Sequence, residues 1–240
     1  MARSVFSGNV LSTLLTLASR YRVILASSSP RRKELLSQLL GCSVSDPSFE
    51  VVPSTFAEDL NPGDFPSTAA YVAETGRRKL IDIVERVACT TVDDADRRPV
   101  LVIAADTIVV VDGAGVAADD AEGGRQRKGQ KVLNKPESET EHLQMLRLLN
   151  GAPHTVQTAL WIAVPSQSKV LSGVAETTVR FAECSEDALQ AYVQTGEAKD
   201  AAGGYKIQGL GGVLVQSIEG EYANVVGFPV HLFAQLSQSL

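Results

Sequence analysis

Cysteine is scarce in this chain: Cys42, Cys89 and Cys184 are the three among 240 residues. Three thiols so far apart make neither a disulfide framework nor a zinc-ligand spacing, and they read as reduced intracellular side chains. Positive charge is in deficit. Lys and Arg total 22 against 28 Asp and Glu, a net charge of −6. That excludes a general binder of polymeric nucleic acid, although a clustered basic site could still take one phosphorylated small molecule. No apolar run reaches the ~20 residues that a membrane helix needs, so no membrane span is expected. The sequence also lacks an internal repeat, a Walker A loop, a nucleophile elbow and the strand–G-x-G-x-x-G–helix context of a dinucleotide fold.

What remains is ordinary globular composition, 44 % apolar and 21 % charged, with enough length for one large domain or two lobes around a core. Residues 1–22 carry Arg3, Arg20 and Arg22, several hydroxyls and no acid. They read either as a weak organelle-targeting peptide or as an amphipathic lead-in helix over about Asn9 to Arg20. The missing cleavage context favours the helix and a cytoplasmic protein. The chain then divides into this N-terminal extension, 1–22, and one domain, 23–240.

Within 23–240, strands and helices interleave. Val23 to Ala26 reads as a buried strand, Ser27 to Ser29 as a loop, and Pro30 as the first residue of a helix that Ser29 caps and Gly41 ends. "FEVVPS" is a second strand, and a helix follows over about Ser67 to Ala88. The strongest apolar run, "VLVIAADTIVVVDG", ends in Asp112-Gly113, a hairpin-turn signal. Residues 114–131 have no apolar period and read as a mobile insertion. A helix over about Glu137 to Leu149, an alternating half-buried strand in "HTVQTALWIAV", and a strand over about Ala175 to Phe181 come next. A helix capped by Ser185, a glycine-rich stretch, the strand "VLVQSI" and a helix after Pro229 complete the chain. The fold class is α/β.

Three stretches point to chemistry. In "ASSSPRRKELL" a strand, a small-residue loop and a helix start form a cradle of free N–H groups, and Arg31 and Arg32 add bidentate phosphate contacts. Cations at the positive end of a helix dipole make sense where an anion is expected; the alternative is a capped helix with two solvated arginines. Asp106 interrupts an apolar run that should be buried, where an unpaired carboxylate is costly. It reads as a metal ligand or general base, or as a strand-end aspartate bonded to backbone. Lys135 follows the hairpin that Asp106 enters and can return near it. "QGLGG" allows close backbone approach, and His154 reads as a structural hydrogen-bonding group.

Taken together these stretches resemble the Maf family of nucleotide pyrophosphatases, from about Val23 to Phe233 with 114–131 as an interruption. "ASSSPRRKELL" resembles the family's S-x-S-P-R-R loop and "AADTIVVVDG" its A-D-T-x-V strand. "NKP…MLRLLNGAPHTVQTA" and "YKIQGLGGVLVQSIEGEYANVVGFP" resemble its remaining two motif runs. The resemblance implies a mixed central sheet flanked by helices, two lobes with a cleft between them, and hydrolysis of a nucleoside triphosphate to monophosphate and pyrophosphate. By motif position it implies Asp106, Glu58 and Lys135 as catalytic residues, with Glu58 and Asp106 holding Mg²⁺ or Mn²⁺. Ser27, Ser29, Arg31, Arg32, Lys79, Thr107 and Gln208 would bind substrate. Arg31, Thr107 and Gln208 match the branch associated with dTTP and UTP; another branch is associated with 7-methyl-GTP. A homodimer is compatible with the resemblance. The chain departs from it at "DAAGGYKIQ", where Ala201 takes a lysine position and Lys206 a glycine position, and Asn150 stands where serine is usual. Those departures leave room for a catalytically weak nucleotide-binding regulator of cell division.

Overall fold

The computed structural model of the chain describes residues 9–89, 96–112 and 130–240. Among the described residues seven strands make one mixed sheet: β1 (Arg22–Ala26), β2 (Glu50–Val51), β3 (Val100–Asp112), β4 (Gln130–Leu133), β5 (Pro153–Val164), β6 (Lys169–Phe181) and β7 (Val215–Glu219). Their order is β2-β1-β3-β5-β6-β7, with β4 beside β3. β1 runs parallel to β2 and β3. All the other pairs are antiparallel. The helices are α1 (Val10–Leu15), α2 (Leu17–Arg20), α3 (Pro30–Leu40), α4 (Thr68–Cys89), α5 (Glu139–Leu149), α6 (Glu186–Gln194), α7 (Tyr222–Val226) and α8 (Val230–Ser237). This is the expected α/β architecture.

The site is placed by a break in the pairing along β3. On one side β3 pairs with β5 from Val102 to Val110. On the other, β1 pairs with Val100–Ala104 and β4 with Val109–Asp112. The carboxyl end of β1, at Ala26, and the carboxyl end of β4, at Leu133, therefore approach each other across residues 105–108. A crevice outside the carboxyl ends of strands, where the sheet's connectivity changes direction, is where open α/β sheets bind ligands.

Apolar packing divides along the same strands. One cluster gathers Leu101, Ile103, Ala105, Leu160 and Ile162 against α1, α2, α3 and α8. Another gathers Val109, Val111, Val156, Val179 and Phe181 against α5 and α6. Val102 and Ala104, then Ile108 and Val110, face α4 through Leu80 and Ile83, and through Tyr71 and Val72. Two packed regions thus share the long strands, one at each end, with the break in β3 between them.

Several elements differ in extent from the sequence expectation. Gln130 and Lys131, placed in the 114–131 insertion, begin β4 and pair with Asp112 and Val111. The hairpin turn at Asp112-Gly113 and the rest of the insertion fall on 113–129, outside the described residues, as do residues 1–8. β5 is buried along nearly its whole length rather than alternating, because it is central, with β3 and β6 on either side and apolar clusters on both faces. β6 starts at Lys169, six residues before its expected beginning, and β2 shortens to two residues. The lead-in forms two short helices, α1 and α2, with Leu14 and Leu17 buried on the first cluster beside Phe233.

Candidate active site

Successive residues of a strand point to opposite faces. Asp106 therefore faces α4 with Val102, Ala104 and Ile108, while Thr107 faces α3. Each meets a cation. Asp106, only 6 % exposed, accepts a hydrogen bond from Lys79 Nζ at 2.6 Å. Lys79 lies on the buried face of α4, with Val72, Thr75 and Ile83. Its Nζ also contacts Glu58 Oε1 at 2.9 Å, so one ammonium joins two carboxylates. Glu58 reaches it from a backbone with φ 55°, rare for a residue with a side chain. On the other face Thr107 Oγ1 accepts from Arg32 Nη2 at 2.8 Å and lies 3.0 Å from Thr158 Oγ1.

The first wall of the site is the loop from β1 into α3. Ser27 Oγ accepts from the Ser29 backbone N–H at 3.1 Å and from Arg32 Nη1 at 3.4 Å. Ser29 is the N-cap of α3 and Pro30 its first residue, as expected, but no side-chain hydrogen bond caps the helix. Arg32 Nε donates to the Gly227 carbonyl at 2.8 Å. That carbonyl is presented by a turn at φ 117°, a conformation glycine adopts readily. Arg32 is thus fixed by three groups, whereas Arg31 turns toward Asp200, with Nη1 to Oδ2 at 3.0 Å.

The second wall comes from the end of β4 and the segment after α6. It carries Lys135, Asp200, Lys206 and Gln208. Asp200 Oδ1 also lies 2.6 Å from Lys206 Nζ. Glu197 holds the glycine-rich turn by accepting from the backbone N–H groups of Leu210 and Gly211 and from the Tyr192 hydroxyl. His154 is structural, as expected: its Nε2 lies 2.8 Å from the Tyr205 hydroxyl beneath this segment.

All ten residues singled out from the sequence, Ser27, Ser29, Arg31, Arg32, Glu58, Lys79, Asp106, Thr107, Lys135 and Gln208, line one cavity of about 500 Å³. Among the described residues five cations and four carboxylates line it, a local positive balance in a chain of net charge −6. Burial raises the Glu58 pKa, but Lys79, then Lys135 and Arg32, outweigh it and hold the carboxyl below its usual range. Burial lowers the Arg32 pKa, partly offset by the Asp106 charge. Asp200 stays below the usual range because Lys206 and Arg31 outweigh its burial.

Sequence reasoning had not placed Asp200 or Tyr71 in the site. Both line the cavity; Asp200 heads the "DAAGGYKIQ" stretch without being singled out there, and Tyr71 lies within α4 with no motif to mark it. Lys206 was visible only as a departure from a motif. Among the described residues no group of three or more His, Cys, Asp or Glu is arranged to hold a metal ion. The converging carboxylates are Glu58 and Asp106, a pair of hard oxygen donors at one point. Among the described residues no helix is long and apolar enough to cross a membrane.

Known proteins resemble this chain over most of its length. A human protein named "Probable bifunctional dTTP/UTP pyrophosphatase/methyltransferase protein" is 38 % identical over 220 residues. The match covers 89 % of this chain but 31 % of that protein, so this chain spans about a third of the human relative's length. A Schizosaccharomyces pombe protein named dTTP/UTP pyrophosphatase is 34 % identical, covering 90 % of this chain and 83 % of its own. One of the same name from Thermococcus onnurineus is 37 % identical, covering 90 % and 96 %. The family model described as "Maf-like protein" matches residues 22–240. The chain belongs to the Maf family.

Proposed function

We infer that this protein hydrolyses dTTP and UTP to the nucleoside monophosphate and pyrophosphate. The observation that carries the reading is Asp106. This sheltered carboxylate stands at the break in β3, in a cavity where Arg31, Arg32 and Lys135 can receive a triphosphate. The names of the relatives supply the nucleotide.

Phosphoryl chemistry asks the protein for charge neutralisation, an oriented water and a base. Arg31, Arg32 and Lys135 neutralise phosphate oxygens, Arg31 and Arg32 with planar forks suited to them. Ser27 and Ser29 line the phosphate cradle at the start of α3. Thr107 acts through Arg32, whose guanidinium it holds. Asp106, its carboxylate positioned by Lys79, takes the proton of the attacking water. Lys79 keeps Asp106 and Glu58 together despite their like charge.

Glu58 and Asp106 would hold Mg²⁺ or Mn²⁺. The donor set fits, because such ions are commonly bound by one or two carboxylates together with substrate phosphates. When bound, the ion adds Lewis-acid stabilisation of phosphate charge. Gln208, an exposed residue lining the cavity, reads the base: its amide offers a donor and an acceptor to the N3–H and O4 edge of uracil or thymine. The partner is a free nucleotide and not a nucleic-acid polymer. The free thiols of Cys42 and Cys184 suit a reducing cytoplasm.

The test is product identity. Purified protein with dTTP and Mg²⁺, followed by ³¹P NMR, should give dTMP and pyrophosphate in equal amounts. Formation of dTDP and orthophosphate would refute the reading.

A further inference from the structure

We propose that Lys206 is an additional phosphate-binding residue in this chain, held ready by Asp200. The proposal rests on reading the cavity as a triphosphate site.

The segment from 198 to 208 contributes Asp200, Ala201, Ala202, Tyr205, Lys206 and Gln208 to the cavity, and Lys206 is their one cation. Ala201, beside Asp200, is buried and carries no charge. The Asp200 carboxylate is split between two cations from opposite walls. Oδ1 lies 2.6 Å from Lys206 Nζ and Oδ2 lies 3.0 Å from Arg31 Nη1. The side chains of Lys206 and Arg31 are 21 % and 17 % exposed, whereas that of Asp200 is 55 % exposed. A solvated carboxylate thus covers two sheltered cations. An exposed ion pair gains little by itself. A phosphate, with more charge and more acceptor oxygens, is the stronger partner for both cations.

The backbone of Lys206 is fixed. Its N–H donates to the Tyr192 hydroxyl at 3.1 Å, and that hydroxyl donates to Glu197. A Cβ at Gly211 would stand 2.7 Å from the Lys206 carbonyl oxygen and 2.8 Å from its nitrogen, so the turn folds tightly back on residue 206. A long, flexible side chain leaves a rigid mount, and Asp200 ties its ammonium to Arg31 at the start of α3. That places it at the phosphate end of the cavity. On substrate binding, Lys206 and Arg31 exchange the Asp200 carboxylate for phosphate oxygens.

The experiment is calorimetric titration of inorganic pyrophosphate, with Mg²⁺, into the full chain and its variants. Lys206→Ala should weaken binding roughly 3- to 10-fold, a charge-assisted contact discounted for partial exposure. Lys206→Arg should bind within about 2-fold of the unmodified chain. Asp200→Asn should bind more tightly, because the competing carboxylate is gone. KM for dTTP should follow the same order, with kcat changing less. Unchanged pyrophosphate affinity in Lys206→Ala would overturn the proposal, and so would equal weakening in Lys206→Ala and Asp200→Asn, the mark of a purely structural pair. If the unmodified chain fails to turn over dTTP yet binds pyrophosphate through Lys206, the functional reading falls and this inference stands. If dTTP is turned over and Lys206→Ala changes nothing, the reverse holds.

Discussion

At the scale of single residues, the site depends on two neighbours with opposite outlooks. Asp106 was legible in the sequence because a carboxylate interrupts an apolar run, and Thr107 only through the motif that resembles the family's A-D-T-x-V strand. Which cation each would meet was not, since Lys79 and Arg32 arrive from helices remote in sequence. Asp106→Asn should lower turnover by at least ~10²-fold, within the range for loss of a general base. It should also cost roughly 1–3 kcal/mol of stability, because Lys79 stays buried with Glu58 as its remaining carboxylate contact. Steady-state kinetics and urea unfolding of the purified variant check the two effects, and near-normal turnover would remove Asp106 from its role. Gln208→Glu sets an anionic acceptor against the O4 acceptor of a pyrimidine. It should lower kcat/KM for dTTP and UTP by about 5- to 150-fold, the equivalent of roughly 1–3 kcal/mol. The fall should be smaller for GTP and 7-methyl-GTP. A uniform drop across all four would mean that Gln208 supports its turn without reading the base.

At the scale of elements, β3 organises the molecule, and its central role was legible from its apolar length. The break in its pairing was not, because that depends on where β1 stops and β4 begins. Gln130 and Lys131 look like loop by composition, yet join β4 because pairing with β3 satisfies their backbone groups. The first half of β6 and the five-residue α7 carry too little periodic signal to be read alone. The segment behind Asp200 is set by glycine. Gly203 has φ 71°, and a Cβ there would stand 2.7 Å from Val109 Cγ2 on β3. Gly203→Ala should therefore destabilise the chain by about 2–4 kcal/mol through backbone strain and overpacking. It should also raise KM, since Asp200 and Lys206 lie on either side. An unfolding midpoint equal to that of the unmodified chain would contradict this packing.

At the scale of the whole molecule, two packed regions share one sheet, and the cavity lies where they meet. Burial lowers the pKa of His154 from 6.5 to about 4. The unfolded chain therefore binds a proton that the folded chain refuses between those values. The associated stability is full above about pH 6.5, declines as pH falls, and is gone below about 4. It amounts to roughly 3 kcal/mol for a shift of this size. Urea unfolding at pH 7.5 and pH 5.5 should show the decline, and His154→Asn should flatten it; an equal decline in that variant would assign it elsewhere. The family was legible because four motifs follow one another in order along the chain, and the structure brings their residues to one crevice. The counter-ion Asp200 was not, because its role exists only when the two walls face each other. The reaction proposed for this cavity is hydrolysis of pyrimidine nucleoside triphosphates to monophosphate and pyrophosphate. The most direct measurement is kcat/KM for pyrophosphate release from dTTP, UTP, GTP and 7-methyl-GTP, with Mg²⁺ and with Mn²⁺. Pyrophosphate should come from dTTP and UTP at least ~10-fold more efficiently than from the guanine nucleotides, given one well-placed polar contact to the base. Equal release from all four, preference for 7-methyl-GTP, or no release would contradict it.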